Sequence, residues 1–222
     1  MKVSILGSSL TSLTLAMSLV NQGIEVDIFS NDKIKESNKI QTIGISKSNV
    51  DFFNKNILNI NKFLWDIEKI EILSENFNNG KLLNFKNDKN QLFSILKNFD
   101  LLNYLFINLS KNKLVKFKKK IEYNDLLKIN YKLIFNCDHN NFISKRFFYK
   151  KISKNYDSFA YVTIFKHKKL LNNHVASQIF TKKGPLAFLP ISSTETSVVY
   201  SVRGKKNIEL ENLIRKYNTK YK

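Results

Sequence analysis

The chain has 222 residues, with 37 Lys and Arg against 18 Asp and Glu, for a formal net charge of +19. Hydrophobic residues make up 43% and aromatic residues 13%, enough for a buried core, so wholesale disorder is excluded. Cys137 is the single cysteine, which excludes a scaffold of internal disulfides and points to a reducing compartment; no apolar run reaches the roughly 20 residues of a membrane span.

Residues 2–6 (KVSIL) read as a buried strand ended by Gly7. Residues 10–21 follow as a helix with Leu13, Ala16, Met17 and Val20 on one face, stopped by Gly23. Gly7, Ser8, Ser9, Thr11 and Ser12 interrupt the apolar stretch 3–20, so it belongs to the fold and is not a signal peptide. Residues 24–29 alternate as a second strand and turn at Ser30-Asn31-Asp32. Strand, turn, helix and strand in this order make a βαβ unit with a right-handed crossover. Apolar residues at helical spacing predict helices within 48–63, with Trp65 at the end of the first, and within 91–109. Residues 131–135 form a short strand leading to Asn136-Cys137-Asp138. From Phe159 four strand-like runs (159–165, 175–181, 185–191 and 196–202) predict an antiparallel sheet, and 208–217 reads as a helix.

All basic residues but Arg146, Arg203 and Arg215 are lysine, spread along the chain with one cluster at Lys116, Lys118, Lys119 and Lys120. Nucleic-acid binders gather arginine forks on one face, so this pattern reads as solvated surface and a nucleic-acid partner is not expected. Charge of this size also sets a long-range field that favours anionic membrane surfaces.

A dinucleotide fold places G-x-G-x-x-G after its first strand, for the turn, for close approach of the pyrophosphate and for packing of helix on strand. Those places hold Gly7, Ser9 and Ser12, and Ser30 stands where an acid would grip the ribose, with Asp32 two residues late. A small hydroxyl residue and a free helix N-terminus still accept phosphate. By themselves, the residues leave open a nucleotide site and a purely structural βαβ unit.

Segments in order along the chain resemble the FAD-dependent aromatic-ring hydroxylases, most closely the branch that hydroxylates ubiquinone precursors. KVSILGSSLTSLTLAMSLVNQGIEVDIFS is similar to the family's opening FAD-binding unit, and QTIGIS (residues 41–46) to the branch's R-T-x-A-x-S stretch. YKLIFNCDHN (131–140) resembles the strand that enters the G-A-D-G motif. GPLAFLPIS followed by SVVYSV (184–202) resembles the substrate-domain strands with their G-P-x-A-x-L-P pattern.

The resemblance implies an α/β fold, α+β overall: a Rossmann-like FAD-binding βαβ domain, partial and discontinuous, over 1–153, and a β-sheet-rich substrate domain over 154–206. Residues 207–222 would be the C-terminal helix of an incomplete domain. It implies FAD as cofactor, NAD(P)H as transient reductant and an aromatic or prenylated phenol as substrate. It further implies a cytoplasmic place, peripheral on the inner face of the membrane, and association with other hydroxylase subunits. Residue by residue, Gly7, Ser8, Ser9 and Ser12 line the pyrophosphate, Ser30 faces the ribose, Gln41 takes the place of an FAD-contacting arginine, and Asp138 is the acid of the D-G pair.

The departures from the family are specific. Gln41 lacks the arginine's charge and fork, and His139 replaces the glycine after Asp138. Phe142, Ser144 and Lys145 follow where small and basic residues are expected. The family's second flavin motif, a Gly-Asp pair followed by proline and a glycine-rich turn, belongs beyond Lys222. On this reading the chain is an incomplete or eroded copy, either still catalytic or serving as a partner subunit. No catalytic residue is assigned, and no metal set is expected: His139, His167 and His174 have no ligands at metal spacing and read as surface histidines. Cys137 reads as a small core residue and Asp138 equally as a turn cap.

Overall fold

The computed structural model describes residues 1–30, 39–75, 80–86, 91–119, 121–150, 152–204 and 210–221. The chain divides into two compact units, one of residues 1–38, 51–62 and 98–153, the other of residues 39–50, 63–97 and 154–222.

The first unit is built on a parallel sheet. Strands β1 (Lys2–Leu6) and β2 (Glu25–Phe29) flank helix α1 (Leu10–Val20) in the chain and pair in register, Val3 opposite Val26. With β8 (Val115–Lys118) and β9 (Leu133–Asn136) they make a four-stranded sheet of order β8-β2-β1-β9, parallel throughout. The expected α/β architecture is therefore present. Ser9 starts α1 as its N-cap, and the apolar face Leu13, Ala16, Met17 and Val20 is buried. That face packs on α3 (Asn98–Ser110), which buries Leu101, Leu102, Leu105 and Leu109. At the far end of α1 the Asn21 side-chain amide donates to the carbonyls of Asn56 and Ile57, at the C-terminal end of α2 (Lys47–Asn56). Short helices α4 (Tyr123–Lys128) and α5 (Phe142–Phe147) flank β9 in the chain.

The second unit holds two sheets. The larger has the order β10-β13-β12-β11-β5-β6, antiparallel except where β5 (Lys69–Ser74) runs parallel to β11 (Val175–Thr181). Its other strands are β6 (Gly80–Lys86), β10 (Ser158–Lys166), β12 (Gly184–Pro190) and β13 (Glu195–Arg203). The smaller sheet is antiparallel and joins β3 (Thr42–Ser46), β7 (Phe93–Lys97) and β4 (Trp65–Ile67). Helix α6 (Leu210–Tyr217) packs on the larger sheet, where Ile214, Tyr217 and Tyr221 join a core of Ile179, Leu186, Phe188, Val198, Tyr200 and Val202.

The structure alters three expectations. Residues 93–97 are strand, not helix: Ile95 and Leu96 are both buried in β7, the central strand of its sheet, and a short run buried on both faces has no diagnostic period. Trp65 lies in β4, where its Nε1 donates to the Asn173 carbonyl at 2.7 Å and its ring stacks on His174 at 4.8 Å. A boundary at residue 153 puts 39–50 and 63–97 with the parallel sheet, but β3, β4, β5, β6 and β7 all pair within the second unit. The C-terminal helix likewise belongs to that unit's core.

Candidate functional site

In the order β8-β2-β1-β9 the chain leaves β1 for β2 on one side and later returns to place β9 on the other. The crevice beyond the carboxyl ends of β1 and β9 is thus a topological switch point, where ligands bind in open parallel sheets. Six of the seven candidate residues gather at this end of the sheet.

Gly7 follows β1 with φ of +111°, a conformation that side chains disfavour, and its amide donates to the Phe29 carbonyl at 2.9 Å. A β-carbon there would lie 3.2 Å from Ser12 Oγ and 3.3 Å from Asp138 Cβ. The loop after β9 therefore lies directly against the loop after β1. The Ser8 and Ser30 hydroxyls hydrogen-bond at 2.8 Å, tying the end of β1 to the end of β2. Ser9 Oγ accepts from the Ser12 amide and lies 3.1 Å from Ser12 Oγ. Ser12 is fully buried, whereas Ser9 is exposed at the helix mouth. The amides of Leu10 and Thr11 have no acceptor within the helix, and α1 carries no acid in its first turn, so its N-terminus presents positive potential and free donors.

Asp138 is a turn residue here. Its carboxylate accepts from the Asn140 amide at 2.9 Å, and its carbonyl accepts from Ser144 Oγ at 3.0 Å. Asn136 and Asn141 complete the knot: the Asn136 amide donates to Ser144 Oγ, and the Asn141 amide donates to Asn136 Oδ1. Asn141 also caps α5 by accepting from the Ser144 amide. The Asn-x-x-Ser spacing of 141–144 is a helix-start signature that sequence reading passed over. Burial pushes the Cys137 thiol up, its contact with the Ser12 hydroxyl pulling the other way, which suits a packing residue and not a nucleophile.

Gln41 belongs to the second unit, exposed just before β3. Asp32 lies outside the described residues. His167 and His174 are half-buried and hydrogen-bonded, His167 Nε2 to Thr196 Oγ1 at 3.0 Å and His174 Nδ1 to the Asp66 carbonyl at 2.7 Å, so neither is a plain surface histidine. Among the described residues no three His, Cys, Asp or Glu are grouped to hold a metal, and no helix is long and apolar enough to cross a membrane.

Tested against a flavin dinucleotide, the residues fit at the phosphate end: a positive-φ glycine, free first-turn amides and exposed Ser9 form an anion-binding helix terminus. At the ribose position Ser30 offers a hydroxyl in place of a carboxylate.

No family model matches the chain. Over 80 residues, 36% of this chain and 17% of the relative, it is 35% identical to the mitochondrial ubiquinone biosynthesis monooxygenase COQ6 of Homo sapiens. Among solved structures it is similar to PqsL, a probable FAD-dependent monooxygenase from Pseudomonas aeruginosa, with a TM-score of 0.68 and 13% identity over 97% of this chain and 62% of that one. It is also similar to Klebsiella pneumoniae HpxO, solved with FAD and uric acid, with a TM-score of 0.71 and 12% identity over 100% of this chain and 62% of that one. The chain thus has the fold of FAD-dependent monooxygenases and spans less than two thirds of the length of these relatives.

Proposed function

We propose that the chain is an FAD-binding, monooxygenase-like protein of the type that hydroxylates ubiquinone precursors. The carrying observation is the convergence of Gly7, the α1 N-terminus, Ser30 and Asp138 at the switch point of the parallel sheet. Gly7 and the amides of Leu10 and Thr11 would hold the pyrophosphate, Ser9 would donate its hydroxyl, and the Ser8–Ser30 pair would face the ribose. FAD held there would supply redox chemistry for oxygenating an aromatic or prenylated phenol, with NAD(P)H as reductant. This chain's residues bind and orient; the knot of Asn136, Asp138, Asn141 and Ser144 fixes the loop that abuts Gly7. Titration of the purified protein with FAD tests the reading: flavin fluorescence should be quenched to saturation below about 100 μM, and no quenching in that range rejects it.

A second reading, binding without turnover as a partner subunit, is favoured by the ribose place being a serine and by Asp138 being engaged in its own turn. NADPH oxidation by the FAD-loaded protein with a phenolic substrate distinguishes the two. Turnover sinks the second reading, and FAD binding with no oxidation sinks the first as an enzyme.

A further inference from the structure

We propose that the face formed by α5 and the loop after it docks on an anionic lipid bilayer. Phe147, Phe148, Tyr149 and Ile152 protrude there with 53, 65, 68 and 105% of their surface exposed. Phe148 also lines, with Leu127 and Ile134 and with the polar Asn136, His139 and Ser144, an open hollow of about 720 Å³, so this tip continues into a recess on the first unit. Large apolar side chains exposed this close together in the chain mark an interaction site.

The charge around it selects the partner. Residues 139–153 contain Lys145, Arg146, Lys150 and Lys151 and no acid, although the chain as a whole carries 18 acids. Among the described residues no carboxylate lies within ion-pair distance of Lys145, Arg146 or Lys150. The Arg146 guanidinium lies over the rings of Tyr123 at 5.1 Å and Phe147 at 5.5 Å, which keeps a cation beside the apolar tips. Aromatic and aliphatic tips among unpaired cations match the bilayer interface: rings settle at headgroup level while Lys and Arg meet anionic lipid. The described residues of 148–157 form no strand to which a polypeptide could add. The proposal does not depend on the cofactor reading.

The test is co-sedimentation of the full chain with phosphatidylcholine vesicles, with and without phosphatidylglycerol. Binding should be at least about tenfold stronger to the anionic vesicles, and a Phe148→Ser/Ile152→Ser variant, unchanged in net charge, should lose about tenfold of it. Both side chains are exposed, so circular dichroism should match the parent. A Lys111→Gln/Lys113→Gln control, which removes two exposed cations elsewhere, should change binding less than about twofold. An equal loss in that control would reduce the effect to bulk charge and overturn the proposal. So would absence of vesicle binding, or a polypeptide captured through Phe148 and Ile152 without it.

Discussion

Gly184 opens β12 with φ of +139°, and a β-carbon built on it would lie 2.0 Å from the Ser201 carbonyl oxygen of β13. Backbone, and not a flexible side-chain tip, fills that space, so any residue but glycine must push two paired strands apart. Gly184→Ala should therefore cost at least about 3 kcal/mol, read as a lower urea midpoint; an unchanged midpoint would disprove the close approach. Gly7 is the milder case. Its φ of +111° is strained for alanine, but the nearest atoms, at 3.2 and 3.3 Å, belong to the Ser12 and Asp138 side chains, which have some room to give. Gly7→Ala should cost about 1–3 kcal/mol, and FAD quenching should weaken in parallel if the helix terminus holds the pyrophosphate. Both glycines stand out in the sequence, one after the first strand and one before proline. The knot around Asp138 does not, because the polar side chains of Asn136, Asn141 and Ser144, bonded to one another and to the backbone of Asp138 across nine residues, leave no apolar period to read.

At the scale of elements, one buried carboxylate ties the parallel sheet together. Asp27 of β2 is 1% exposed and meets Lys118 of β8 at 2.6 Å and Lys2 of β1 at 3.0 Å, and it accepts from the hydroxyl of Tyr131, which precedes β9. Burial alone would raise its pKa, but the bonds from Lys118, Tyr131 and Lys2 outweigh burial and hold it below the usual carboxylate range. A lowered native pKa stabilises the fold above the unfolded value of about 4, and this contribution is lost as pH falls through the native value. Asp27→Asn leaves two lysines facing a neutral amide, so it should destabilise the protein near neutral pH. The gap between parent and variant should narrow as urea melts are taken from pH 5 downward. A gap constant with pH would mean that Asp27 is not charged in the native state. The β1–α1–β2 unit was legible because strand, cap, apolar helical face and second strand follow one another locally, each with its own signature. The strands β4 to β7 were not. β6 is exposed along six of its seven positions, β7 is buried on both faces, and β5 finds its parallel partner β11 about a hundred residues away, beyond any local pattern.

At the scale of the molecule, the chain passes between its two units five times, so neither is a continuous stretch. Residues 154–222 hold the four strands that the sequence shows most plainly, yet they are only part of a sheet. β11 pairs with β5 from Val175–Lys69 to Phe180–Ser74, and without residues 63–97 that edge of β11 is bare. The same cut removes the hydrogen bond from Trp65 to the Asn173 carbonyl, the bond between His174 and the Asp66 carbonyl, and the Lys97–Glu195 ion pair at 2.7 Å. Loss of residues 39–50 removes in addition the link between the Thr42 and Ser197 hydroxyls at 3.0 Å. Residues 154–222 alone should therefore show no cooperative thermal transition by circular dichroism and should aggregate through the open edge. Residues 39–222 keep every strand of both sheets in the second unit, and although they carry segments of the first, they should regain a sigmoidal melt. A cooperative melt from 154–222 alone would show that the four antiparallel strands and α6 form a self-sufficient core. The pairings of β5 and the Trp65 and Lys97 contacts would then be dispensable to it.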